Sequence, residues 1–182
     1  LANLKQIHSN KVHIIKRFDD LNQTPEADGL VTELKQIGLC ILTADCSPIL
    51  FFEEKKNIVG ACHAGWRGAV NGIIESTIFN ITSLGGNIKN INAIIGPTIQ
   101  KKYYEIGNDV FEIVKKTDVF KKNDNIICPL KNNKYLFDLP LFIKEKLSFI
   151  GIDKIGDVHL DTYINKQFFS HRRAMHKKIY NK

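Results

Sequence analysis

Two short runs hold most of the side chains able to do chemistry. They are ADC at Ala44 to Cys46, and HAGWRG at His63 to Gly68, which begins seventeen residues after Cys46. A histidine, a tryptophan and an arginine framed by Gly65 and Gly68 form a costly turn, because glycines lose much backbone entropy and the ring and guanidinium need partners. A thiol and an imidazole at this spacing suit two chemistries. With a further donor they make a metal site; alone they make a nucleophile and its base. The structural alternative is a buried thiol beside a hydrogen-bonded core histidine.

A hairpin is what must position them. Residues 48 to 52 (PILFF) and 58 to 62 (IVGAC) are apolar runs of strand length separated by a charged stretch. With a four-residue loop, Phe52 pairs with Asn57 and the register carries Cys46 opposite His63, at a Cβ separation of ~4.5 to 5.5 Å. Both strands are apolar at nearly every position, which predicts burial on both faces. Further strands are expected at 12 to 16, 28 to 31, 38 to 43, 91 to 95 and 154 to 159. Helices are expected over Gly68 to Leu84, closed by Gly85 and Gly86, and over Asn108 to Lys116. A third is opened by Asp138, with Pro140 in its first turn, and stopped by Gly151. The first of these directly follows HAGWRG, so its N-terminus near Gly68 would offer N–H groups to an anion. Asp28 is expected to serve the turn before Gly29. The alternation of elements predicts an α/β (α+β) fold with mixed sheets packed between helices.

The 182 residues fit one domain over 1–182, large enough to bury a core without staples. Leu1 in place of a methionine predicts that an N-terminal piece precedes this numbering. The four cysteines show no CxxC spacing, which favours a reducing compartment over a secreted scaffold. With neither a long apolar segment nor a signal-like start, a cytoplasmic location is expected. A net charge of +7 invites a nucleic-acid reading, yet the lysines are scattered without interleaved aromatics, so small anions are the better partners.

The chain carries a series of ordered blocks: QIH at Gln6 to His8, ADGLVT at Ala27 to Thr32, TADCSP at Thr43 to Pro48, and HAGWRG. IGPTI at Ile95 to Ile99, YEIG at Tyr104 to Gly107 and FFSHRR at Phe168 to Arg173 complete it. In these blocks the sequence resembles the YfiH-like, laccase-domain proteins, once described as polyphenol oxidases and now regarded as purine nucleoside phosphorylases. The resemblance implies a zinc ion held by His8, Cys46 and His63, with copper able to substitute, and a fourth position open to water or substrate. It implies phosphorolysis of a purine nucleoside to free base and ribose 1-phosphate. Arg67, Arg172 and Arg173 are then the candidate phosphate binders, because a guanidinium donates two parallel hydrogen bonds to an oxyanion. His171 is a candidate acid toward a purine nitrogen. Adenosine deamination is a second implied activity, with Asp45 or Glu105 carrying protons; Asp45 could instead orient its neighbours. Tyr103 and Tyr104 could stack on the base or belong to the core.

Two features depart from the family pattern. Asp161 precedes Thr162 where members commonly carry a cysteine, and RRAMHKKIYNK replaces the usual continuation through a TGR segment, so some terminal family segments are expected to be lacking. Among rival functions, a multicopper oxidase fits poorly with six histidines and no HxH pair. A Cys-His hydrolase or amidase, acting on a small molecule or cell-wall precursor, is the main alternative. A metal-stabilised nucleoside-binding module is the non-enzymatic one.

Overall fold

The computed structural model describes residues 1–177; the end of the expected 1–182 domain, 178–182, lies outside the described residues. Among the described residues nine strands form two sheets, and six α-helices pack with them, as the expected mixed α/β architecture requires. The larger sheet contains β1 (Val12–Ile15), β2 (Gly29–Thr32), β3 (Ser47–Glu53), β4 (Ile58–Ala64), β5 (Ile91–Ile95) and β9 (Lys154–Asp157), in the order β1-β2-β4-β3-β5-β9. The smaller contains β6 (Glu105–Gly107), β7 (Ile127–Pro129) and β8 (Lys134–Phe137), with β8 in the centre. The helices are α1 (Trp66–Asn71), α2 (Ile73–Ser83), α3 (Asn108–Val114), α4 (Asp118–Lys122), α5 (Leu139–Ile150) and α6 (His171–His176).

The expected β3–β4 hairpin forms, but in another register. Glu53 pairs with Ile58 and Pro48 with His63, so Cys46 lies just before β3 rather than opposite His63 within it. The turn explains the shift. Glu53 is fully buried and its carboxylate accepts the N–H groups of Lys55 and Lys56, while Asn57 takes the positive φ of 56° that asparagine tolerates. Those interactions fix the loop at 54–57, one residue later than expected.

Burial on both faces does not hold for β3. Ile49, Phe51 and Glu53 face the core beneath α2 and α5, whereas Leu50 and Phe52 are largely exposed, as is Ile94 on the neighbouring β5. At the β1–β2 side the same outer face is covered instead, by a small cluster of Ala2, Ile15 and Leu30 with Leu4, Leu34 and Leu39 around it.

The expected Gly68–Leu84 helix is two helices. Gly72 adopts φ 97°, a left-handed conformation that ends α1 and starts α2 in a new direction. The helix also starts earlier, at Trp66, which puts Gly68 inside it rather than at its N-terminus. Segment 38–43 is no strand; Leu39 alone makes a bridge, to Ala2. The third expected helix forms with its signals intact: the Asp138 side chain caps Leu141 N–H, and Gly151 closes it at φ 99°.

Candidate active site

The residues singled out by type and spacing gather at one end of the large sheet, where β1, β2 and β3 begin and β4 ends. A cavity of about 770 Å³ opens there. Its walls include His8, Asp45, Cys46, His63, Arg67, His171 and Arg172, each named from sequence.

One wall is built on a buried carboxylate. Asp28, just before β2, accepts hydrogen bonds from the N–H groups of Ile7, His8 and Ser9, from Ser9 Oγ, and from His63 Nδ1 at 2.9 Å. Burial opposes its ionisation, yet the bonds from His63, Ser9 and Ile7 outweigh that and hold the carboxyl below its ordinary range. Asp28 therefore does more than serve a turn: it folds the 7–9 loop, in which His8 has φ 58°, against the end of β4 and sets the His63 ring. Burial lowers the basicity of His63 more than Asp28 restores it, so the ring is neutral, with Nδ1–H toward Asp28 and Nε2 left as an electron-pair donor.

The rings of His8 and His63 meet edge to face at 4.8 Å. Ligand atoms of His8, Cys46 and His63 all lie within 4.8 Å of one another, the one such group among the described residues able to hold a metal ion. Two imidazoles and a thiol with a carboxylate behind one of the imidazoles match the donor set and outer-shell support of a transition-metal site. Gly65 makes room for it, since a Cβ there would lie 2.7 Å from Cys46 Sγ. Burial, reinforced by the charges of Asp45 and Asp28, pushes the Cys46 thiol up to about 11 against the pull of Arg67. Without a metal that thiol stays protonated at neutral pH.

A second part of the lining carries cations on two short helices. Arg67 extends from the first turn of α1 over the Trp66 ring at 4.5 Å, and Arg172 lies over Tyr104 at 5.5 Å. The far end of α1 is tied by Lys146 of α5, a buried ammonium that donates to Ala69 O at 2.5 Å and pairs with Glu75 of α2 at 2.9 Å. Helix α6 is tied by Asp45, whose two carboxylate oxygens accept Thr162 Oγ1 and Arg172 N–H, each at 2.7 Å. Asp45 itself sits at φ 87°, with its carbonyl accepting from Thr98 Oγ1 and Ile99 N–H. Phe169 and Leu42, both highly exposed, line the mouth.

Three expected residues fall elsewhere. Arg173 does not line the cavity; its guanidinium donates to the carbonyls of Thr162, Tyr163, Asn165 and Phe168 and so shapes the loop before α6. Glu105 lies in a neighbouring groove, 3.5 Å from Lys134. Tyr103 stacks on Tyr163, while Tyr104 lines the cavity. Sequence reasoning missed Lys146 and the full role of Asp28. The ADG block carried a signal for Asp28, an acid directly before a buried strand; Lys146 gave none, being one lysine among many.

A family model described as multi-copper polyphenol oxidoreductase laccase matches residues 1–179. A Rickettsia conorii protein named purine nucleoside phosphorylase is 37% identical over 174 residues, covering 95% of this chain and 70% of that protein. A protein named adenosine deaminase RL5, from an unknown prokaryote, is 32% identical over 179 residues, covering 93% and 68% respectively. The crystal structure of Bacillus licheniformis hypothetical protein YfiH superposes with a TM-score of 0.89 at 27% identity, covering 96% of this chain and 69% of that one. No helix among the described residues is long and apolar enough to cross a membrane.

Proposed function

The chain belongs to the multi-copper polyphenol oxidoreductase laccase family, and we propose that it is a metal-dependent purine nucleoside phosphorylase. The observation that carries this reading is one cavity lined both by a His8–Cys46–His63 metal-capable cluster and by Arg67 and Arg172. The name of the Rickettsia relative supports it.

In this reading Arg67 and Arg172 hold phosphate, their forks kept in place by the Trp66 and Tyr104 rings. A phosphate oxygen forms the bond to C1′ of the ribose while the bond from C1′ to the purine nitrogen breaks. The electron pair leaves with the purine, which takes up a proton. His171, on the cavity wall, is the nominated proton donor. His8, Cys46 and His63 would hold zinc, the metal favoured by mixed thiolate and imidazole donors, with copper as a substitute; bound there, it would supply a positive charge toward the departing base. Asp45 orients Arg172 and is a positioning residue. Arg173 supports the same loop from behind.

Deamination of adenosine, supported by the name of the second relative, is assigned the smaller share. Among the described residues Asp45 is the one carboxylate lining the cavity, and both its oxygens already accept hydrogen bonds. The Cys-His hydrolase reading draws on a different observation: Asp28, His63 and Cys46 stand in the order of acid, base and nucleophile. The raised Cys46 thiol weighs against it.

The test is incubation with adenosine and with inosine, with and without phosphate. Release of adenine or hypoxanthine that requires phosphate supports the reading. Base release indifferent to phosphate favours a hydrolase, and tight binding without turnover favours a binding module.

A further inference from the structure

The reaction cavity does not end at Arg172. A second groove of about 410 Å³ lies behind the same wall, sharing Trp66, Tyr104 and Arg172 with the first. Glu105, Asp109 and Lys134 bring charges of both signs into it. Glu105 and Lys134 sit on neighbouring strands β6 and β8, only 3.5 Å apart and each about half exposed, so their pairing leaves both able to take another partner. Asp109 stands in the first turn of α3. Between these charges Ile106, Val110 and Met175 give the groove an apolar lining.

We propose that this groove is a subsite for an amino-acid tail on the 5′ carbon of a purine nucleoside. The inference rests on the phosphorylase reading of the adjoining cavity. Phosphate has to approach C1′ beside Arg67 and Arg172, so a substituent that leaves the sugar near C1′ would block attack. The exocyclic 5′ carbon hangs from the opposite side of the ring oxygen, and a chain from it can cross the shared wall without obstructing C1′. Both charges of a zwitterion are then met: its ammonium by Asp109 and Glu105, its carboxylate by Lys134, with methylenes or a thioether against Met175 and Val110. A 5′-phosphate fits less well, because two carboxylates face it. A bare 5′-hydroxyl leaves the groove to water.

Three adenosines test this: the parent nucleoside, its 5′-methylthio derivative, and a derivative carrying an α-amino acid on a 5′ thioether. The amino-acid compound should show a KM about tenfold below that of the methylthio compound, the yield expected of two half-exposed ion pairs. Lys134→Gln and Asp109→Asn should each reduce that preference to about threefold, and leave the KM of the parent nucleoside unchanged. Equal KM values for the two derivatives, or a preference that survives both substitutions, would overturn the subsite. If none of the three is turned over, the phosphorylase reading fails, and calorimetric binding decides the groove separately. Tail-dependent tightening that each substitution reduces to about threefold sustains it, and equal binding of all three ends it.

Discussion

The two walls of the cavity are held by opposite strategies. The metal-capable wall hangs on one residue, Asp28, which gathers five hydrogen bonds and organises both histidines, His8 in the 7–9 loop and His63 near the end of β4. The cationic wall is built from two helices of six residues each, held by separate ties: Lys146 for α1, Asp45 and Arg173 for α6. A short helix has little stability of its own, so its orientation comes from tertiary packing and hydrogen bonds. One wall should therefore fail as a unit, whereas the other should lose function in steps.

Removing Asp28 is the harshest test of that contrast. Asp28→Ala leaves five donors without their acceptor, and unfolding by denaturant should register a loss of about 3–5 kcal/mol. Asp28→Asn keeps the shape and should weaken zinc binding about 10–100-fold in a chelator competition. Undiminished affinity in that variant would remove Asp28 from the metal wall.

On the cationic wall the neighbouring arginines should separate. Arg172→Gln is expected to raise the KM for phosphate about 10–100-fold with little change in melting temperature, because the charge-assisted hydrogen bonds it removes form only in the bound state. Arg173→Gln should do the reverse, lowering stability by about 1–3 kcal/mol while the folded fraction keeps its phosphate KM. Identical kinetic losses in the two variants would dissolve the distinction. Lys146→Met should raise the phosphate KM about threefold to tenfold through the loosened end of α1, with Lys146→Arg recovering part of it.

Much of this contrast could be read from the chain itself. Cys46, His63, Arg67 and Arg172 sit in short blocks whose residue types declare their chemistry, and the α5 boundaries follow from Asp138 and Gly151. Register was less legible, because the apolar runs of β3 and β4 pair equally well one residue away. The buried Glu53 and the left-handed Asn57 decide it. Arg172 and Arg173 are indistinguishable as letters; only a helix start places one in the cavity and turns the other into the loop. Ties such as Lys146 to Ala69 span 77 positions, a distance at which local pattern carries no information.

Smaller effects are expected at Cys46 and at the mouth of the cavity. In chelator-stripped protein the Cys46 thiol should react slowly with iodoacetamide at pH 7 and accelerate as the pH climbs toward about 11, because the thiolate is the reactive form. Full reactivity at pH 7 would favour the nucleophile over the metal ligand. At the mouth, Phe169→Ala should raise the nucleoside KM by about threefold to tenfold if the exposed ring stacks on the base, and leave the phosphate KM unchanged.

The decisive experiment follows phosphate-dependent release of adenine from adenosine through one cycle of metal removal and zinc return, in the unaltered chain and in His63→Ala. If the two walls act on one substrate, release falls with the metal, returns with zinc in the unaltered chain, and stays absent in the variant. Base release that persists at full rate without metal, or in His63→Ala, would contradict the joint site.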